Sequence, residues 1–255
     1  QHVADTTVKG EYRFAANTVR VAPSAPALTE ASARIGFTAQ RLEIADGAAR
    51  LYGEPMRLSG GTLADGSVAI KASGNIATAA LAKAYPLPIL AHLSGRTAWR
   101  TDVSVRGGRS SVVLRSDLQG IASSLPAPFN KSATEKWPLQ LSLDPSEGGA
   151  VQTLGLSLGD KLKAEVMRRR SDARWLLARG GVAWNETLRQ ADGGILVSAN
   201  LPVLDVDAWL KAIDSGDAPA SADAEGDGSQ WPLSALTLQA DALQVPVVYL
   251  AEIGS

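Results

Sequence analysis

His2 and His92 are the only imidazoles in the chain, which has no cysteine. A zinc site of nitrogen and sulfur ligands, a Ser-His-Asp triad and a thiolate nucleophile therefore all lack parts. His2 stands at a terminus, and His92 lies in a short helical stretch with no second His nearby, a setting that reads as structural. The 26 acidic side chains could supply a general acid and a general base, but no local spacing singles out a pair. Asp46, Asp65 and Asp192 sit in "ADGAAR", "LADGSV" and "QADGGI", where Asx-turn hydrogen bonding accounts for them. The stretch "DAEGDG" lacks the ligand spacing and closing Glu of a calcium loop, and "NET" at Asn185 matches a glycosylation sequon only as short sequences often do. The sequence thus assigns no catalytic residue, no metal site and no cofactor.

Two other sets of residues could contact a ligand without reacting with it. In "MRRRSDAR" Arg168, Arg169, Arg170 and Arg174 cluster, with Arg179 beyond. They could meet anionic lipid headgroups at the rim of a groove, or form a solvated face whose charges discourage edge pairing. Adjacent positions of a strand point to opposite sides, so the run faces both ways, which favours the solvated face. Trp99, Trp137, Trp175, Trp184, Trp209 and Trp231 fall mostly at strand or helix boundaries, where core packing is the default and lipid contact the alternative. With 25 basic and 26 acidic side chains, the formal net charge of -1 gives no field to gather a polyanion, which argues against nucleic-acid binding.

The elements that must carry these residues are mostly strands, because apolar and polar residues alternate with period two. Val68 and Ile70 share a face, as do Val112, Leu114 and Leu118. So do Leu139, Leu141 and Leu143, then Leu154, Leu156 and Leu158, then Leu162, Ala164 and Val166, then Ile195 and Val197, then Leu236 and Leu238. Gly-containing turn signals separate these runs and predict a series of antiparallel hairpins. Helical pattern is sparse. Asn75 is placed to cap "IATAALAKAY", which Pro86 closes, and "PLPILAHLSG" makes a short turn ended by Gly95. In "DVDAWLKAIDSG", Asp205 is the N-cap, Val206, Trp209, Leu210 and Ile213 make one apolar stripe, and Gly216 follows the end. Residues 215–230 hold no large apolar side chain and predict a flexible acidic loop, after which strand pattern resumes. In "SLPAPF", Pro126 and Pro128 delete two donors from one edge of an extended chain and mark a protected border or a crossover.

Strands with one apolar face must hide it, and about three short helices cannot cover so many. Either two sheets close on each other as a sandwich, or one sheet curls around an open trough, and period two fits both. Apolar residues make up 45% of the chain and aromatics 5%, so a trough would be lined by Leu, Val, Ile and Ala. Such a continuous, unspecific surface suits acyl chains, whose burial contributes about 0.8 kcal/mol per methylene.

In "LRSDLQGIASSLPAPFNKSATEKWPL", a strand ending in Ser-Asp-Leu-x-Gly is followed by Leu-Pro-Ala-Pro-x-x-Lys and a Pro-Leu. There the sequence resembles the YhdP branch of the AsmA-like proteins of Gram-negative bacteria. Upstream, "VRVAPSAPALTEASARIGFTAQRLEIADGAARLYGEPMRLSGG" resembles that family's Pro-flanked Leu, strand and Gly-x-Pro-containing strand, and "LSGRTAWRTDVSV" fits its Gly-x-x-x-Trp. The resemblance covers most of residues 8–214 and leaves out the acidic loop after Gly216. It implies a section of a long periplasmic protein anchored in the inner membrane. The implied fold is mainly β, a curled antiparallel sheet forming an open, taco-like groove with a few short helices. Residues 1–214 would be a groove section, 215–230 the flexible loop, and 231–255 further strands of the same or the next section. The implied function is non-catalytic transfer of phospholipid between inner and outer membrane, with acyl chains held on the aliphatic positions named above from Val68 to Leu238, Leu118 and Ala164 apart. Parts of the parent chain outside this sequence would reach the membrane. The alternative is a structural or protein-binding β-domain of a large envelope protein with a closed core. A β-rich hydrolase would instead need two carboxylates converging in a cleft.

Overall fold

The computed structural model describes residues 9–20, 25–85, 87–172, 174–214 and 233–244. The chain runs through β1 (Lys9–Val19), β2 (Leu28–Thr38), β3 (Leu42–Leu51), β4 (Glu54–Thr62) and β5 (Val68–Ala77), then helix α1 (Thr78–Ala84) and a 3-10 turn, Pro88–His92. Next come β6 (Leu93–Arg106), β7 (Arg109–Ser116), β8 (Ile121–Ser123), β9 (Leu139–Ser146), β10 (Val151–Leu158), β11 (Leu162–Ser171) and β12 (Arg174–Trp184). The last elements are β13 (Gly194–Asp205), α2 (Val206–Asp214) and β14 (Leu233–Gln244). Among the described residues all strands join one open sheet in chain order, except that β8 pairs with the first residues of β6 beside the main path. The expected mainly-β fold with few helices is the one adopted. The stretch 215–230, Trp231, Gly216, Pro86 and His2 lie outside the described residues.

Consecutive strands pair because the links between them are tight. At Tyr52-Gly53 and Gly107-Gly108 both residues take positive φ, the conformation a two-residue hairpin needs to match strand twist. Asp65 makes the turn bonds that its place in "ADG" predicts, accepting from Ser67 N at 3.0 Å and Ser67 Oγ at 2.6 Å. Bulges interrupt the ladders of β1, β2 and β3, and the left-handed residues Ala16, Glu30 and Asp46 sit at them. Each bulge bends its strand and raises the local twist.

Among the described residues the strands belong to one sheet path, each beside its hydrogen-bonded neighbours, and no second sheet is present. The sheet is a single layer, and yet Ala31, Ala49, Met56, Ala72, Ile76 and Trp99 form a buried cluster on one of its faces, with Phe14, Leu58, Leu81 and Leu114 against it. On the other face, at neighbouring positions, Arg57, Ser73, Asn75 and Arg100 are exposed. One layer shields one face in this way only by bending toward it, here with α1 covering part of the bend. The trough is therefore what this chain forms, and the sandwich is not.

Four local expectations change. Asn75 caps no helix: the β5–β6 ladder continues through Asn75 opposite Ala98 to Ala77 opposite Arg96, and α1 starts only after it. Gly95 ends no helix either, because it lies in β6 at φ +106, pressed against the carbonyl of Gly120 where a Cβ has no room. Leu118 leaves the face of Val112 and Leu114, turning at positive φ with its N–H on Ser116 Oγ. The pairs β12/β13 and β13/β14 run parallel, against the expectation of hairpins throughout. Parallel neighbours need crossovers; residues 185–193 supply the first and α2 lies in the second. Asp205 does cap α2, its Oδ1 accepting from Ala208 N at 2.9 Å.

Candidate functional site

Register carries the alternation of each strand across the whole sheet. Ile70, Val103, Val112, Leu143, Leu154, Val166, Gly180 and Ile195 follow one another in a row from β5 to β13. A second row runs Ala72, Thr101, Leu114, Leu141, Leu156, Ala164, Val182, Val197 and Leu236. A third runs Ser116, Leu139, Leu158, Leu162, Trp184, Ala199 and Leu238. Val68, opposite Val105, starts a short row beside the first. All sixteen aliphatic positions expected to line a groove thus stand on one face. Val103, Val105 and Val182 belong with them and show the same alternation in "TDVSVRG" and "GGVAW".

The strip formed by these rows is about 13 Å wide along the strands, from Leu139 to Leu143 at about 3.3 Å per residue. It spans nine strands from β5 to β14, about 40 Å at about 4.8 Å per strand. Ile195 is buried and most of the other candidates are half-buried, while Leu141, Leu236 and Leu238 are 37%, 60% and 46% exposed. Across the strip the chemistry is uniform: no charged side chain stands in the three rows.

One rim is built by the segment between β8 and β9, which carries "LPAPFNK". Pro126 and Pro128 lie there in a loop that links β7, by way of β8, to its antiparallel neighbour β9, so it is neither a strand edge nor a crossover. Phe129 packs its ring 4.3 Å from that of Trp184, a member of the third row, and 5.6 Å from Trp209 of α2. Lys131 is 6% exposed, and its ammonium donates to the carbonyls of Leu118, Ile121 and Ser132 at 2.8 to 3.0 Å. Burial holds its pKa below the usual lysine range, with Glu135 and Asp117 acting the other way. His92 completes this rim by bridging the 3-10 turn to α2, its Nε2 2.9 Å from the Ala212 carbonyl oxygen, so it is structural as expected. The Leu210 of the expected apolar stripe faces solvent.

The opposite rim holds Arg168. It continues the Leu162, Ala164, Val166 side of β11 and pairs with Gln152 of β10. Its Nε and Nη2 donate to Gln152 Oε1 at 2.9 and 2.6 Å, and its guanidinium lies 4.8 Å from the ring centre of Trp175. Burial lowers its pKa. Arg169 falls on the other face, as a run of arginines in a strand must. Several other arginines of the sheet meet carboxylates: Arg34 with Asp46, Arg50 with Glu30, Arg96 with Glu54, Arg106 with Asp65 and Arg115 with Asp102. Sequence reading missed the roles of Phe129, Lys131, Gln152 and Trp175, although each lies within a stretch singled out there or beside one.

Comparison with curated proteins yields no match, and neither does comparison with solved structures. A family model described as YhdP protein matches residues 2–253, which takes in the loop with its buried lysine, both rims and every strand of the strip. The resemblance first visible in a few motifs thus extends over nearly the whole sequence, and the chain belongs to the YhdP family.

Proposed function

We propose that this chain is a non-catalytic lipid-transfer module whose strip holds the acyl chains of phospholipids moving between the inner and outer membranes. One observation carries the reading: three registered rows, mostly of aliphatic side chains, share one face of a single open sheet, and large apolar members of them such as Leu141, Leu236 and Leu238 stay exposed. Leaving large apolar groups such as Leu236 and Leu238 facing water is unfavourable, and an acyl chain laid over them recovers about 0.8 kcal/mol for each buried methylene. The uniformity of the strip matters as much as its depth. A lipid that slides must lose little at any step, which a lining of Leu, Val, Ile and Ala permits and a sharply shaped pocket does not. Membership in a family of bacterial envelope proteins supports a periplasmic setting, with membrane attachment supplied by other parts of the parent chain.

Mass spectrometry of protein purified from cells without detergent tests this. Phospholipid should co-purify in a stoichiometric amount. A preparation that is fully stable and free of lipid would overturn the proposal.

A further inference from the structure

Resting on that reading, we infer that Arg168, held by Gln152 and Trp175, is a docking point for the phosphate of a phospholipid headgroup whose acyl chains lie on the adjoining rows. Three observations lead there. Arg168 stands on the same face as the strip, one pleat beyond Val166 and across from Gln152, itself one pleat beyond Leu154. An amphiphile with tails on Leu143, Leu154 and Val166 therefore meets this guanidinium where its apolar part ends.

The second observation is the charge. Among the described residues Arg168 has no carboxylate partner, whereas several arginines elsewhere in the sheet have one. A half-buried cation without an anion is unfavourable, and an incoming phosphate relieves this. The third is geometry. A guanidinium carries five N–H donors in a planar fork. Gln152 occupies the Nε and Nη2 edge, and the Trp175 ring lies over the guanidinium at 4.8 Å. The end edge, with parallel N–H groups on Nη1 and Nη2, remains for two oxygens of one phosphate, the bidentate mode that arginine supports and lysine does not. Trp175 has the amphipathic ring that settles at the boundary between tails and headgroups.

The test loads the full chain from vesicles containing equal amounts of phosphatidylglycerol and diacylglycerol of the same acyl composition. Bound lipid is then quantified by mass spectrometry for the wild type, Arg168→Gln and Arg168→Lys. The wild type should favour the phospholipid, Arg168→Gln should lose that preference by on the order of tenfold, and Arg168→Lys should fall between. Circular dichroism checks each fold, and because the lysine variant keeps the charge, the intermediate result survives even if the glutamine variant unfolds. Lipid loading with an unchanged preference in folded variants would overturn the headgroup assignment while leaving the acyl-chain reading intact. Absence of any lipid from the wild type would overturn both. Calorimetric titration with inorganic phosphate separates the two sources of the anion: binding as strong as that of the lipid, lost in Arg168→Gln, would overturn the lipid assignment in favour of a free-phosphate site.

Discussion

At the scale of single residues, charged groups here hold geometry. Lys131 is the clearest case, since its three hydrogen bonds end on carbonyls of the chain that leaves β7 and leads to β9. Lys131→Met keeps the aliphatic stem and leaves those acceptors unsatisfied, which should lower stability by about 2–4 kcal/mol, read as a fall in the urea midpoint. Keeping the charge is not enough: Lys131→Arg should lower the midpoint as well, because a planar fork cannot reach three converging carbonyls as a rotating ammonium does. Asp65 gives a pH effect of definite sign. Its pKa is held below the usual carboxylate value, first by the Ser67 hydroxyl, then by the Ser67 backbone, with Arg106 adding to it. Its folded pKa is below the unfolded one, so its contribution is present above the unfolded value and is lost as pH falls through the folded value. Wild type should be more stable than Asp65→Ala at neutral pH, and the gap should narrow in denaturation curves taken near about pH 2.

At the scale of elements, α2 is held to the sheet through an aromatic contact of long range in sequence. Phe129 touches both Trp184 of β12 and Trp209 of α2, so Phe129→Ala should loosen the helix without disturbing the ladders. Such ring contacts are worth about 0.5–1.5 kcal/mol beyond area, and hydrogen exchange of α2 amides should speed up by on the order of tenfold while β9–β11 amides stay protected. This contact also shows where sequence reading stops. Period two revealed the strands and their common face, since in a ladder the alternation of one strand constrains the next. The Asp205 cap was legible because it acts over three residues. The aromatic cluster was not, because nothing local ties Phe129 to Trp209. Asn75 illustrates the converse, a good local cap signal overridden when β5 gained more by pairing with β6. The parallel β12/β13 pair escaped notice because "ADGG" signals a turn, whereas its crossover packs on the polar face, with the Arg189 carbonyl filling the space a side chain would need at Gly181.

At the scale of the molecule, the decisive property is continuity. The strip is about 40 Å long, while one leaflet's hydrocarbon is about 15 Å thick, half of the bilayer core. On the proposed reading a phospholipid would cover only part of the strip and would pass from strand to strand along it. A single interruption in the middle row should then weaken the whole path, whereas the same change on the reverse face should not. Leu156 is the place to test this, central in its row between Leu141 and Ala164. Leu156→Asp removes contact with about three methylenes, roughly 2 kcal/mol, and so should reduce lipid occupancy there by about thirtyfold. Ser157 faces the other way, opposite Gln140 and Lys163, and Ser157→Asp is the matched control. Both variants should keep the β-sheet spectrum, because in a single layer neither position packs beneath a second sheet. Bound phospholipid should fall sharply in the first and stay at the wild-type level in the second. Equal retention in both would mean that the apolar face is not the path, however regular its rows.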